Sequence, residues 1–572
     1  MTQRVADLMV DILASAGARH CYGIVGDTLN YFTDAIHKSK KLEWVHMRHE
    51  EAGAFAAGAD ALLTGQLTVC AGSCGPGSLH FINGIFESNR NRAPVVLIAS
   101  QLATPQLGSQ FPQEVDFLKV YSECTVFAQQ INSPSEARRV MTQACQAALN
   151  KRGVALVVMP VDVSSAHVPD GLPFSTHVPQ PIIRPSDTEL HAMAKILAEG
   201  SKVAIYCGSG VQGAHEELVA LARKLKAPIG HTSRAKDFVE YDNPFNMGMT
   251  GLLGISSGYE MMEQCDTLLL LGADFAWSQF YPNNAKIIQV DKEVMHLGRR
   301  HPVDIGVVGD IAPTLQALLE VVQEKSDDSF LQTCLRHREH TLKTLEAQER
   351  VGKGDVIHPQ HVYRLISDMA ADDAIIAADC GSSMAWLLRH LKVNGKRRTL
   401  TSMLHGTMAN AMPQALGAQK AFPGRQVISV SGDGGLAMLM GDLITTQQEK
   451  LPIKIVVLNN GSLNFVELEQ KVDGLLNNYT DLINPDFGAV AQALGMWGRS
   501  VSKPDEVQDG IRELLAQPGA ALLSVHTSPF ELVMPPAVQA SQVVSTTLYS
   551  AKALISGRVE DVEHLLTDNY LK

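Results

Sequence analysis

The sequence has no surplus of positive charge. Across 572 residues its formal net charge is −12, so the basic footprint of a nucleic-acid-binding surface is missing. No apolar run reaches the ~18 residues that a bilayer-spanning helix needs. The N-terminal stretch 1–17 carries Asp7 and Asp11 among Val5, Leu8, Met9, Ile12 and Leu13 at helical spacing. It reads as an amphipathic helix rather than a secretory signal. No Cys-x-x-Cys occurs: the nine cysteines are scattered and the close pair Cys70 and Cys74 is wrongly spaced. That argues against a zinc site or disulfide framework and fits a reducing compartment. The expectation is a soluble chain of three or four domains, at roughly 150 residues each.

What is present is concentrated between Val427 and Phe465, VISVSGDGGLAMLMGDLITTQQEKLPIKIVVLNNGSLNF. A strand over 427–430 runs into Gly432-Asp433-Gly434-Gly435. A helix is expected from about 436 to 449, then a second strand over 453–458 that stops at Asn459-Asn460-Gly461. This is a βαβ unit with polar atoms gathered at the strand ends, where open parallel sheets bind ligands. The glycines let backbone N–H groups approach an anion, while Asp433 and Asn460 offer the hard oxygens that suit Mg²⁺ on a phosphate.

Around it, residues 1–182 alternate helical patterns with the apolar stretches LTVCAG, PVVLIAS and VALVVMPVDV. That rhythm predicts a parallel sheet covered on both faces. Prolines at 169, 173, 179, 181 and 185 form a stiff linker. A second α/β block, 183–334, holds KVAIYCG, TLLLLGADF and KIIQVD, and the charged segment after it reads as a surface helical connector. A third, 335–530, holds AIIAADCGSS and the opening βαβ unit. Three doubly wound parallel-sheet domains and a C-terminal tail, 531–572, are therefore expected. In the first block, Arg48-His49-Glu50-Glu51 enters the small-residue helix AGAFAAGADALL. Glu50 and Glu51 read equally well as solvated first-turn acids or as desolvated carboxyls. Ala71–Ser88 contains a Gly-Pro-Gly turn between a strand and a helix.

These features together resemble the thiamine-diphosphate enzymes, in which a His-Glu motif and Gly-Pro-Gly precede a Gly-Asp-Gly…Asn-Asn unit in this order. The resemblance covers nearly the whole chain. It implies a pyrimidine-binding domain (1–182), a middle domain (183–334) and a diphosphate- and Mg²⁺-binding domain (335–530). It further implies that Asp433, Asn460 and the Ser462 carbonyl hold Mg²⁺ on the diphosphate, with Gly434, Gly435, Gly461, Leu463, Asn464 and Val466 around the cofactor. Glu50 is implied to hydrogen-bond the aminopyrimidine and so promote loss of the thiazolium proton. The family puts this Glu and the diphosphate site on different subunits, so at least a homodimer, read here as a homotetramer, is expected. In Leu404-His405-Gly406-Thr407-Met408, the Gly406 carbonyl would accept from the cofactor amine, Thr407 would adjoin it and Met408 would wedge between the rings.

The middle block is similar to the FAD-binding domain of pyruvate oxidases and acetolactate synthases. The turns Thr250-Gly251-Leu252-Leu253-Gly254 and Ala273-Asp274-Phe275-Ala276-Trp277-Ser278, with Asp291, Lys292 and Asp310, are the expected FAD contacts. The segment after Gln101 lacks tandem histidines, and that after Asn460 lacks Gln-Trp-Gln. It resembles instead the quinone-dependent pyruvate dehydrogenases of bacteria, which implies Phe465 between thiamine and flavin and Glu469 at the substrate site. Two departures stand out: Pro112 displaces Phe111 from the place next to Gln-Glu, and Asn464 replaces a usual glycine. In the tail, Leu548, Ala551, Leu554, Ile555, Val559, Val562, Leu565, Leu566 and Tyr570 recur at helical spacing after Pro535-Pro536. From residue 531 on there are three Lys/Arg against five Asp/Glu, so membrane attachment would rest on apolar area. The resemblance implies a tail that covers the site at rest and is released to phospholipid. The expected activity is oxidation of pyruvate to acetate and CO₂, with electrons passing through FAD to a membrane quinone (ubiquinone). The expected location is cytoplasmic, peripheral on the cell membrane. A flavin-retaining carboligase and a nucleotide-binding paralogue without turnover are the alternatives.

Overall fold

The computed structural model describes residues 3–169, 173–350, 356–533 and 549–550. It contains three parallel six-stranded sheets, one in each block. In the first, the strands lie in the order Glu43–His46, His20–Gly23, Thr68–Gly72, Val95–Gln101, Val154–Pro160, Phe127–Gln130. The third repeats that order with Arg398–Leu400, Ile375–Ala378, Val427–Gly432, Lys454–Asn459, Ala521–His526 and Trp497–Val501. The middle sheet differs. Numbered within the block, its strands run 3-2-1-4-5-6, with Val203–Cys207 and Thr267–Leu271 at the centre, the order of dinucleotide-binding sheets.

The apolar runs are continuous because both faces of each sheet are buried. In the strand Val95–Gln101, Val95, Leu97 and Ala99 enter one core while Val96 and Ile98 enter another. Ile375 and Ala377 share the core of Val95, whereas Ile376 and Ala378 face a separate one, so the first and third sheets are joined by common apolar packing. The helices Glu50–Thr64 and Ala411–Ala421 meet inside that shared core. Small residues set their spacing: a Cβ at Gly417 would stand 2.0 Å from the Ala56 carbonyl oxygen.

Several boundaries differ from expectation. VALVVMPVDV is a strand only to Pro160 and then the helix Val161–Ser165, and TLLLLGADF leaves the sheet at Leu271. The helix expected over 436–449 is broken into Asp433–Met438, a turn at Met440–Asp442, and Leu443–Gln448. The reason is Asp442, whose buried carboxylate turns inward to accept the Arg48 N–H at 2.8 Å and the Thr445 hydroxyl at 2.9 Å. The charged connector is the helix Ser329–Gln348, and Phe330, Leu331, Cys334 and Thr341 are buried along it. No helix among the described residues is long and apolar enough to cross a membrane. The helical pattern expected beyond Pro535 lies outside the described residues, except that Tyr549 is buried with its ring 5.3 Å from Lys471 Nζ.

Candidate active site

In the third sheet, chain order reverses between Ile375–Ala378 and Val427–Gly432. Loops leaving the carboxyl ends of two such strands diverge and open a crevice. Here the crevice is a cavity of about 230 Å³. Its wall includes residues 379–383, Gly406, Met408, 432–435, Asn460 and 462–466. Gly381 and Gly406 have φ of +116° and +75°, and a Cβ at either would meet nothing within 4 Å. Open space therefore faces the backbone at both points.

Asp433 is 2 % exposed. Its Oδ1 accepts the Gly434 N–H at 2.9 Å, and its Oδ2 accepts the Gly461 N–H and Asn484 Nδ2, each at 2.7 Å. Burial still pushes its carboxyl above the usual range. A desolvated carboxylate in that state gains from a cation, and oxygen donors in a phosphate-sized crevice suit Mg²⁺. Asn460 Oδ1 accepts the Ser462 N–H at 3.1 Å, which folds the 460–462 turn toward Asp433. Ser462 is fixed from below: its hydroxyl donates to Glu467 at 2.9 Å, and Glu467 is ion-paired with Lys471 at 2.6 Å.

Met408 faces the same turn, with Cε 3.3 Å from where a Cβ of residue 434 would stand. Phe465 lines the cavity beside it. Asn464 is buried, donating to the Pro529 carbonyl at 2.9 Å and accepting from the Ser382 hydroxyl at 3.0 Å. This position begins the helix Asn464–Val472, so a glycine's conformational freedom is not used here. The side chain ties the Phe465 turn to two neighbours instead. Glu469 is exposed and outside the cavity wall. Its charge and that of Glu87 reach the Cys380 thiol, which burial mainly pushes up to about 11.

Glu50 also lies outside this wall. It is 7 % exposed at the start of the helix Glu50–Thr64, with Oε2 2.9 Å from His80 Nδ1. Its Oε1 faces the Gly-Pro-Gly turn at Gly77. His49, stacked on His80 at 4.9 Å, caps the same helix by accepting the Glu51 N–H. Of the two open readings, burial is the one that holds for Glu50, whereas Glu51 is half-buried and accepts from Asn83.

A second cavity, of about 460 Å³, opens at the reversal of the middle sheet, beside Gly210 and Gly272. Asp291, Lys292 and Asp310 line it, together with residues from both other blocks. Asp310 accepts the Ile183 N–H at 2.8 Å and pairs with Lys292 at 3.2 Å. Arg92, Arg152 and Arg234 also face this space, and among the described residues none has a carboxylate within ion-pair distance. Burial pulls the Arg234 guanidinium down to about 10. Guanidinium groups without an ion-paired carboxylate fit a diphosphate-bearing ligand, although Arg234 also feels the Glu87 carboxylate. The turns 250–254 and 273–278 are not part of this wall but adjoin each other, since a Cβ at Gly251 would stand 3.4 Å from Phe275 and 3.5 Å from Trp277. Asp274 there is ion-paired with Arg299 and Arg300.

Family models match along this architecture. The N-terminal thiamine pyrophosphate (TPP) binding domain of thiamine pyrophosphate enzymes matches residues 3–120, the central domain 190–318 and the C-terminal TPP binding domain 379–525. The chain belongs to the thiamine pyrophosphate enzyme family. It is 34 % identical over 509 residues to a putative thiamine pyrophosphate-containing protein, YdaP, of Bacillus subtilis (strain 168), covering 89 % of this chain and 88 % of the relative. It is 30 % identical over 510 residues to the pyruvate oxidase of Lactiplantibacillus plantarum, covering 88 % and 84 %. It is also 30 % identical over 543 residues to the large subunit of acetolactate synthase isozyme 2 of Escherichia coli (strain K12), covering 93 % and 96 %. This thiamine pyrophosphate enzyme therefore has thiamine-dependent chemistry, with domains for that cofactor at both ends of the chain.

Sequence reasoning missed Asn484, Arg234, Asp379 and Asp442. Asn484 lies 51 positions from Asp433 and carries no local motif. Asp379 could have been flagged in AADCGSS, because an acid at the tip of an apolar strand is a site signal.

Proposed function

We propose that this chain oxidatively decarboxylates pyruvate to acetate and CO₂, with the two electrons leaving through FAD to a membrane quinone. Water supplies the second acetate oxygen. In this reading Asp433, Asn460 and the Ser462 carbonyl would hold Mg²⁺ on the diphosphate, Gly406 and Met408 would adjoin the cofactor rings, and Glu50 of a second copy would hydrogen-bond the aminopyrimidine. Bound thiamine diphosphate supplies the electron sink that lets CO₂ leave a 2-oxo acid. The chain's own residues do the rest. Met408 and Leu463 exclude water from the turn at Gly434, and Asn464 fixes the segment that presents Phe465. The arginines of the second cavity would neutralise the FAD diphosphate; Glu469, exposed and outside the cavity wall, is given no role in this step. The observation that carries the reading is Phe465 in the wall of the Asp433 cavity, in a chain whose second cavity is lined by arginines without an ion-paired carboxylate among the described residues.

The test is anaerobic addition of pyruvate to the purified protein loaded with FAD and thiamine diphosphate. Stoichiometric bleaching of the flavin with release of acetate supports the oxidase; acetolactate without bleaching replaces it with the carboligase reading, which the resemblance to acetolactate synthase favours. Attachment to phospholipid through the apolar positions of 531–572 is part of the proposal, as is a homotetramer. Deleting residues 549–572 should abolish liposome binding and raise basal activity.

A further inference from the structure

Glu87 lies on the helix Ile82–Arg90, 2 % exposed and outside the walls of both cavities. Its Oε2 accepts the Ser402 hydroxyl at 2.6 Å, and its Oε1 accepts from Asn91 Nδ2. Ser402 is fully buried and in turn accepts the Thr407 N–H at 3.0 Å. An ionised carboxylate only accepts, so the single hydroxyl hydrogen of Ser402 must point to Glu87. That leaves a lone pair aimed at Thr407, the residue between Gly406 and Met408 in the thiamine cavity wall. The same helix grips this segment elsewhere. Asn83 donates to Thr407 Oγ1 at 3.0 Å and lies 2.7 Å from His405 Nε2, and Phe86 stacks on His405 at 5.6 Å.

We propose that Glu87 is a positioning residue of the thiamine site: its carboxylate orients the Ser402 hydroxyl and thereby holds the 406–408 segment, without touching cofactor or substrate. This rests on the assignment of that segment to the cofactor. The charged and titratable groups around Glu87 come from four directions. Arg234, which donates to the Asn91 carbonyl at 3.4 Å, favours the ionised form. The Cys380 thiol of the diphosphate-binding block feels its charge, Glu51 is reached through Asn83, and His405 through Phe86. Burial outweighs Arg234 and the hydrogen bonds and pushes the carboxyl up to about 7. The acceptor-only form therefore becomes dominant as pH rises through neutrality.

The experiment titrates thiamine diphosphate with Mg²⁺ into the full-length protein and follows tryptophan fluorescence, since Trp386 lines the cavity. At about pH 8, Glu87→Gln should bind about fivefold more weakly than the wild type, a charged acceptor having been exchanged for a neutral one. Near pH 5.5 (roughly a unit and a half below the Glu87 midpoint) the two should converge, because the wild-type carboxyl is then neutral as well. Ser402→Ala should weaken binding by at least that factor at about pH 8 and by a smaller factor near pH 5.5, where the wild type has already lost its charged acceptor. A ratio of Glu87→Gln to wild type that is flat across pH overturns the proposal, as does a Ser402→Ala protein that binds normally. Asp433→Ala separates the two levels: if it also binds normally, the assignment of the cavity is wrong, and if it alone loses binding, only the role of Glu87 is.

Discussion

Asp433 accepts three N–H donors and is still pushed toward its neutral form by burial. A cation is the partner that this environment calls for. Asp433→Asn removes the charge but keeps the shape. Breaking a buried charge pair typically costs ~3 kcal/mol or more, so affinity for Mg²⁺ and thiamine diphosphate together should fall by about a hundredfold, read by calorimetric titration. Glu87 has an opposite consequence for the unliganded fold. Its folded pKa, about 7, lies above the unfolded value near 4.5. Between those two values the folded state holds a proton that the unfolded state has lost. Stability therefore falls as pH rises through this window and is level beyond it, by ~3 kcal/mol in all. Glu87→Gln should remove that slope, so its melting temperature should exceed that of the wild type above neutrality and match it in acid. Asp433 and Asn460 were legible in sequence because each sits at a strand tip inside one short motif. Glu87 and Ser402 were not, because 315 positions separate them and neither carries a local pattern.

Helices show the same contrast. The small-residue run AGAFAAGADALL announced a tightly packed helix, but its partner, Ala411–Ala421, was recognisable only once the backbones were seen in contact. A methyl group at Gly417 has no room beside the Ala56 carbonyl, and the obstacle is main chain rather than a flexible side chain. Gly417→Ala should cost about 1–3 kcal/mol, measured as a lower denaturant midpoint at unchanged m-value. The expected single helix over 436–449 failed for a related reason. Periodicity describes one segment at a time, whereas Asp442 breaks the helix to satisfy the Arg48 N–H, 394 positions away. The Asn464 departure, read from sequence as a stiffened loop, is two hydrogen bonds to Ser382 and Pro529.

Across the whole molecule, the alternating apolar runs were enough to give three parallel sheets covered on both faces. They did not give the difference in strand order between the middle sheet and its neighbours, because crossover direction leaves no mark on hydrophobic periodicity. That order matters for the second cavity, which has walls from all three blocks. A ligand seated there opposes their separation. FAD at a hundred times its dissociation constant should raise the unfolding free energy by about 2.7 kcal/mol, and Arg234→Ala should erase most of that gain at the same FAD concentration. Thermal unfolding with and without FAD measures both.

Within one chain, Glu50 and Asp433 do not face a common space. If each works with its counterpart on another copy, two inactive proteins can repair each other. Glu50→Gln and Asp433→Ala chains, separately silent, should regain turnover when unfolded together and refolded as a mixture, because some pairings then bring two intact halves face to face. Mixtures that stay silent would overturn a site shared between two copies.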